Sequence, residues 1–102
     1  TKMGDVIEAQ AMGRVYGKSP VVTGLKSYMG HTMGSCGAIE MLITSYMMAE
    51  GFIAPTLNLE NIDERCNMIN HAQELVESDI RIAAIQNFAF GGVNTCLIIK
   101  KI

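Results

Sequence analysis

The chain has 102 residues, 49% of them hydrophobic, 18% charged and 6% aromatic, with no Trp, which is enough for one globular unit at most. Eight Lys and Arg stand against ten Asp and Glu, for a formal charge of -2 and a pI near 5.6. Neither a nucleic-acid backbone nor an anionic membrane surface finds a basic footprint here. The longest strongly apolar stretch, 38–49, is interrupted by Glu40, Thr44 and Ser45 and stops short of the ~20 residues of a spanning helix, so no membrane partner is expected.

From the N-terminus, Val6, Ala9, Met12, Val15 and Tyr16 recur at helical spacing behind Asp5 and Glu8, and Gly17 with Pro20 supplies a stop. This pattern predicts an amphipathic helix over 4–17. Pro20 to Leu25 is short and β-branched and predicts a strand. A Gly-broken loop follows, and then a second helix over 33–50 whose apolar residues wrap nearly all the way round, the mark of a buried helix. Gly51 is its expected C-cap, and Pro55 limits any central strand in the crossing segment 52–58. Residues 58–79, polar and unpatterned around Asp63, Glu64 and Arg65, read as a surface loop with one short turn. Two strand-like runs, 80–87 and 95–100, joined through Phe88 to Asn94, read as an antiparallel pair.

Two helices and about three strands leave an all-round apolar helix without enough cover, so the expected fold is α/β, as part of a larger layered unit that sandwiches this helix between sheets. Thr1 is not a start residue, and no basic or apolar leader precedes the first helix, so the chain is expected to be a piece of a longer one. Cys36, Cys66 and Cys96 are an odd, widely spaced set with no close pair for a metal, which fits a reducing cytosol. The eight Met residues read as irregular core filling.

Chemistry concentrates in residues 24–40. Lys26 and His31 stand in the loop between the strand and the buried helix, where rigid elements present reactive groups. Glu40 falls inside the apolar helix, where an unpaired carboxylate is costly, and Lys26 is the nearest cation in sequence to satisfy it. Taken alone, a capping or core role for His31 and a solvated charge for Lys26 outweigh a catalytic reading.

The surrounding letters reverse that balance. Lys26-Ser27-Tyr28-Met29-Gly30-His31-Thr32-Met33-Gly34-Ser35-Cys36-Gly37-Ala38-Ile39-Glu40 resembles a signature of the β-ketoacyl-acyl carrier protein synthases, the elongating condensing enzymes. The resemblance extends along the chain. Thr1 to Glu8 is similar to the family's His-Gly-Thr-x-Thr tail running into Gly-Asp-x-x-Glu, residues 52–58 to Gly-Phe-Ile-Ala-Pro-Thr, and Asn87 to Asn94 to Ser-Phe-Gly-Phe-Gly-Gly-Thr-Asn. Several motifs in the right order make the match specific.

The resemblance implies a thiolase-like layered fold, of which residues 1–102 form the C-terminal part of the ketosynthase C-terminal domain. It implies a decarboxylative Claisen condensation of malonyl-acyl carrier protein with an acyl-enzyme thioester, with no cofactor. His31 then matches the second family histidine, which helps decarboxylate the malonyl group and stabilises the enolate oxygen, and Lys26 matches the family lysine, with Glu40 and Glu8 in support. Phe88, Phe90, Gly91 and Gly92 match the gating loop, where the glycines free the hinge, and Thr1 matches a pantetheine-contacting threonine. Acyl carrier protein is the implied partner, the full-length protein a homodimer, and the cytoplasm its place.

The nucleophilic Cys and first histidine of the family match nothing in these residues and are expected upstream of Thr1. None of Cys36, Cys66 and Cys96 stands in a context that lowers a thiol pKa. Ala89 and Val93 replace the family's Gly and Thr in the gating loop. A non-catalytic partner of the chain-length-factor type is the alternative, with retained Lys26 and His31 against it. A free-standing small binding domain conflicts with the uncovered helix.

Overall fold

Thr1 opens the first helix of the computed structural model, which describes residues 1–102. Its Oγ1 accepts the Gly4 N–H at 2.9 Å, satisfying one of the orphan donors of a helix start. Helix α1, Lys2–Tyr16, carries Asp5 in its first turn and Arg14 in its last, each complementing the helix dipole. It stops at Gly17, whose φ of 62° suits a residue without Cβ. The inward face packs Ala9 against Cys66 and Ile69, with Val6, Met12, Val22 and Met68 around them. A Cβ on Gly13 would stand 2.5 Å from Met68 Cγ, so the missing side chain lets α1 lie close on the 64–72 segment.

The strand expected over 20–25 shortens to β1, Val21–Val22. The region after it, expected to be a loop, holds a one-turn helix, α2, Lys26–Met29. The reason is local hydrogen bonding. Ser27 presents both its N–H (3.2 Å) and its hydroxyl (2.7 Å) to the Gly24 carbonyl, and the turn is fastened to the crossing segment through Leu57 N–H to Ser27 Oγ at 2.8 Å and Tyr28 Oη to the Pro55 carbonyl at 2.6 Å.

A tight 3-10 turn, Met33–Ser35, leads into α3, Cys36–Glu50. Gly51, at φ 78° and left-handed, closes it as the sequence predicts. Cys36, Thr44, Met47 and Met48 are buried, whereas Met33, Met41, Leu42 and Tyr46 are exposed. The all-round burial expected of this helix is therefore met on one side only, because these residues supply only one wall for it. On that wall lie β2, Phe52–Ile53, and β5, Ile82–Phe88.

Residues 58–79 are not the surface loop expected from their polarity. They contain a 3-10 turn, Glu64–Cys66, and two short strands, β3 (Asn70–His71) and β4 (Val76–Glu77), and they bury Cys66, Ile69 and Ala72. Few apolar residues at irregular spacing fill this part of the core, so no period announced them.

β1 pairs parallel to β3, with Val21 opposite Asn70 and Val22 opposite His71. β2 pairs antiparallel to β4. The terminal hairpin agrees with the sequence: β5 runs antiparallel to β6, Asn94–Lys100, from Ile82 opposite Lys100 to Phe88 opposite Asn94. The three ladders remain separate two-stranded sheets. A cavity of about 760 Å³ opens among them, lined by α1, β1, α3 and β5 residues including Met12, Val22, Met47 and Ile85.

Candidate active site

His31 is held between two residues with left-handed backbone, Gly30 at φ 72° and Met33 at φ 55°. The second is unusual for a residue with a side chain and stores strain. Its effect is visible at the imidazole: the Met33 N–H turns back and donates to His31 Nδ1 at 3.0 Å. A ring nitrogen that accepts is unprotonated, so the neutral ring carries its proton on Nε2 and offers one donor outward. His31 itself is exposed. Beneath it Cys36 is buried, with Sγ 3.8 Å from Nδ1 and accepting the Thr32 hydroxyl at 3.3 Å. Nδ1 is already engaged by Met33 and is not a free base for that thiol.

Lys26 and Glu40 meet as the burial argument requires: Lys26 Nζ lies 3.3 Å from Glu40 Oε1, with the Glu40 side chain 12% exposed. The second carboxylate oxygen accepts Asn87 Nδ2 at 3.0 Å. In the sequence Asn87 ends the strand-like run 80–87 and opens the 87–94 loop match, and neither marks it as a partner of Glu40. The available signal was a count: a carboxylate has two oxygens to satisfy, and one lysine accounts for one of them. Glu8 belongs to the same group. Desolvation pushes its carboxyl above the usual 4.5, with the Lys26 charge pulling the other way, and Glu8, Lys26 and Glu40 all line the large cavity.

Phe88 ends β5 and is half exposed, while Phe90 stands almost wholly in solvent at 93% exposure. Between them and Asn94 the 89–93 loop is closed by Ala89 N–H to the Val93 carbonyl at 2.9 Å and Gly92 N–H to the Ala89 carbonyl at 3.3 Å. Gly91 and Gly92 take φ of 86° and 79°, which accounts for both glycines. Thr1 is engaged as the cap of α1, and no hydrogen bond or ion pair joins it, or Phe90, to His31.

The structure thus unites Lys26, Glu40 and Glu8, adds Asn87, and leaves His31 on its own backbone clamp nearby in sequence. Burial pushes the Cys66 thiol up, the opposite of an activated nucleophile. His71 is occupied by the Cys66 carbonyl at 2.8 Å, and no three His, Cys, Asp or Glu side chains group as metal ligands. No helix is long and apolar enough to cross a membrane. An imidazole whose Nδ1 is occupied can donate only through Nε2, and a donor of that kind is suited to stabilising a developing oxyanion.

Comparison with known proteins bears on the same residues. Residues 1–60 match the family described as beta-ketoacyl synthase, C-terminal domain. The chain is 40% identical to 3-oxoacyl-[acyl-carrier-protein] synthase 1 of Buchnera aphidicola subsp. Acyrthosiphon pisum, over 99% of this chain and 25% of that protein. It is 35% identical to the synthase 1 of Escherichia coli K12, over 100% of this chain and 25% of that protein, and 35% identical to the synthase 2 of Vibrio cholerae, over 99% and 26%. The crystal structure of a beta-ketoacyl synthase from Burkholderia phymatum superposes with a TM-score of 0.93 at 43% identity, over 97% of this chain and 24% of that one. The chain therefore spans about a quarter of the length of these relatives, and its mixed helix and strand architecture is that of the matching portion.

Proposed function

The chain belongs to the family of beta-ketoacyl synthase C-terminal domains, and from that membership we propose that it is the C-terminal part of the ketosynthase C-terminal domain of a 3-oxoacyl-[acyl-carrier-protein] synthase. The reaction is the decarboxylative condensation of malonyl-acyl carrier protein with an acyl-enzyme thioester in fatty acid elongation. Breaking the malonyl C–C bond releases CO2 and leaves its electron pair in an enolate whose oxygen carries the charge. The enolate carbon then attacks the acyl thioester carbonyl, and the enzyme's cysteine departs as thiolate.

The observation that carries this reading is the Met33 N–H to His31 Nδ1 bond, which leaves Nε2–H as the donor for the thioester oxygen as it becomes an oxyanion. Lys26, fixed by Glu40, supplies positive potential to the condensing site, and Glu8 supports the pair. The loop with Phe88, Phe90, Gly91 and Gly92 gates acyl entry, and Thr1 contacts the pantetheine arm. The nucleophile comes from polypeptide outside these residues, since Cys66 is raised by burial, Cys36 faces an occupied nitrogen and Cys96 sits in a strand. The partner is acyl carrier protein, the full-length enzyme a homodimer, and the compartment the cytoplasm. Neither the geometry nor the relatives' names favour the chain-length-factor alternative.

The test is His31→Ala in the intact synthase, with the two half-reactions followed separately. Malonyl decarboxylation is expected to fall by about 100-fold or more, the cost of one lost oxyanion donor, while acyl transfer to the nucleophile persists. Equal loss in both half-reactions removes His31 from this role.

A further inference from the structure

The proposed chemistry uses one oxygen of Glu40 and leaves the other unassigned. Oε1 faces Lys26 Nζ at 3.3 Å and Oε2 accepts Asn87 Nδ2 at 3.0 Å. With its side chain 12% exposed, Glu40 cannot rely on bulk water to orient these oxygens, and the rotamer that serves Lys26 is open to rotation unless the second oxygen is also held. Asn87 is well placed to hold it. It lies in the penultimate rung of the hairpin, opposite Thr95, where the β5–β6 ladder fixes its backbone, and its amide nitrogen is 3.7 Å from where a Cβ on Gly37 would stand, against the first turn of α3. A carboxylate only accepts, so the amide must present its NH2. As a neutral donor it adds no second cation to compete with Lys26 for the charge.

We propose that Asn87 is a positioning residue for the condensation. Its amide locks Glu40 so that the carboxylate holds Lys26 in the pocket, and it fastens the helix that carries Glu40 to the stem of the 89–93 loop. This rests on the reading of Lys26 and Glu40 as part of a condensing site.

The experiment measures malonyl-acyl carrier protein decarboxylation by the intact synthase, kcat and KM separately, for the wild type, Asn87→Ala, Asn87→Asp, Glu40→Gln and the double variant Asn87→Asp with Glu40→Gln. Asn87→Ala is expected to lower kcat by about tenfold, the size of one hydrogen bond to a charged acceptor, with KM little changed. Asn87→Asp keeps the size of the side chain but sets carboxylate against carboxylate, so it should be slower than the alanine variant. In the Glu40→Gln background the aspartate penalty should vanish, because the glutamine amide then donates to Asp in the reverse sense. An aspartate variant faster than the alanine variant, or an aspartate penalty that survives Glu40→Gln, means that Asn87 merely fills space and overturns the proposal. A wild-type enzyme with no decarboxylation overturns the condensing reading itself, a separate result.

Discussion

Glu8 is half-buried beside Lys26, and the loss of hydration outweighs the lysine's attraction, so its carboxyl titrates above the usual 4.5. A raised folded-state pKa favours the protonated form. The stability it contributes is fully present below 4.5 and is lost as pH rises through the folded value. Glu8→Gln is therefore expected to raise the melting temperature of the intact protein at pH 7, with the gain shrinking as the pH is lowered to 4.5. A gain that is independent of pH would place the effect elsewhere. At this scale the sequence was informative where cost alone decides: a carboxylate in an apolar helix had to be paired, and Lys26 pairs it. It was silent on Asn87 because a side-chain amide on a strand has no period and no obligatory partner. It was equally silent on Met33, whose positive φ belongs to no residue type that announces it.

Among the elements, α1 was legible because its apolar residues recur at helical spacing, and the terminal hairpin because two short apolar runs flank a Gly-rich turn. Segment 58–79 was not, since Cys66, Ile69 and Ala72 are buried by a path that crosses under α1 rather than by a repeating face. Gly13 marks that crossing. Alanine there gains about 1 kcal/mol of helix propensity, yet its Cβ would meet Met68 Cγ at 2.5 Å and Met68 Cβ at 3.2 Å, and overpacking of this kind costs about 1–3 kcal/mol. Gly13→Ala is expected to destabilise the intact protein by about 1 kcal/mol in denaturant unfolding, the difference between these two effects. A stabilised variant would show that Met68 moves aside freely. The short α2 escaped the sequence reading because it rests on Ser27 bonding back to the Gly24 carbonyl and on Ser27 and Tyr28 being fastened to distant backbone, not on propensity.

As a whole the chain has the radius of gyration of a packed domain, 13.1 Å, against about 13 Å for 100 residues. Only 10 of its 102 residues are buried, and no large side chain is fully buried. The uncovered face of α3 and the 760 Å³ cavity both contribute to this sparse burial. The uncovered α3 was legible from its all-round apolarity; which strands would border the gap was not, because pairing between segments far apart in sequence leaves no local trace. Residues 1–102 expressed alone are expected to melt without a cooperative transition by calorimetry, whereas the intact protein should protect the Val21–Thr23 and Ile82–Ile85 amides from exchange. A sharp two-state melt of the isolated residues would show that they are a complete domain.

The pairing of β1 with β3, far along the chain, also imposes an order in time. The β5–β6 hairpin closes over the 89–93 loop and belongs to events of about 1–10 μs. β1 has no such local partner: it pairs with β3 and forms only by non-local closure, the slow class of folding step. Until then β1 and β3 present unpaired strand edges to any neighbouring molecule. Refolding yield should consequently fall with protein concentration through the late phase alone, and the edges of β1 and β3 are where a chaperone has most to shield.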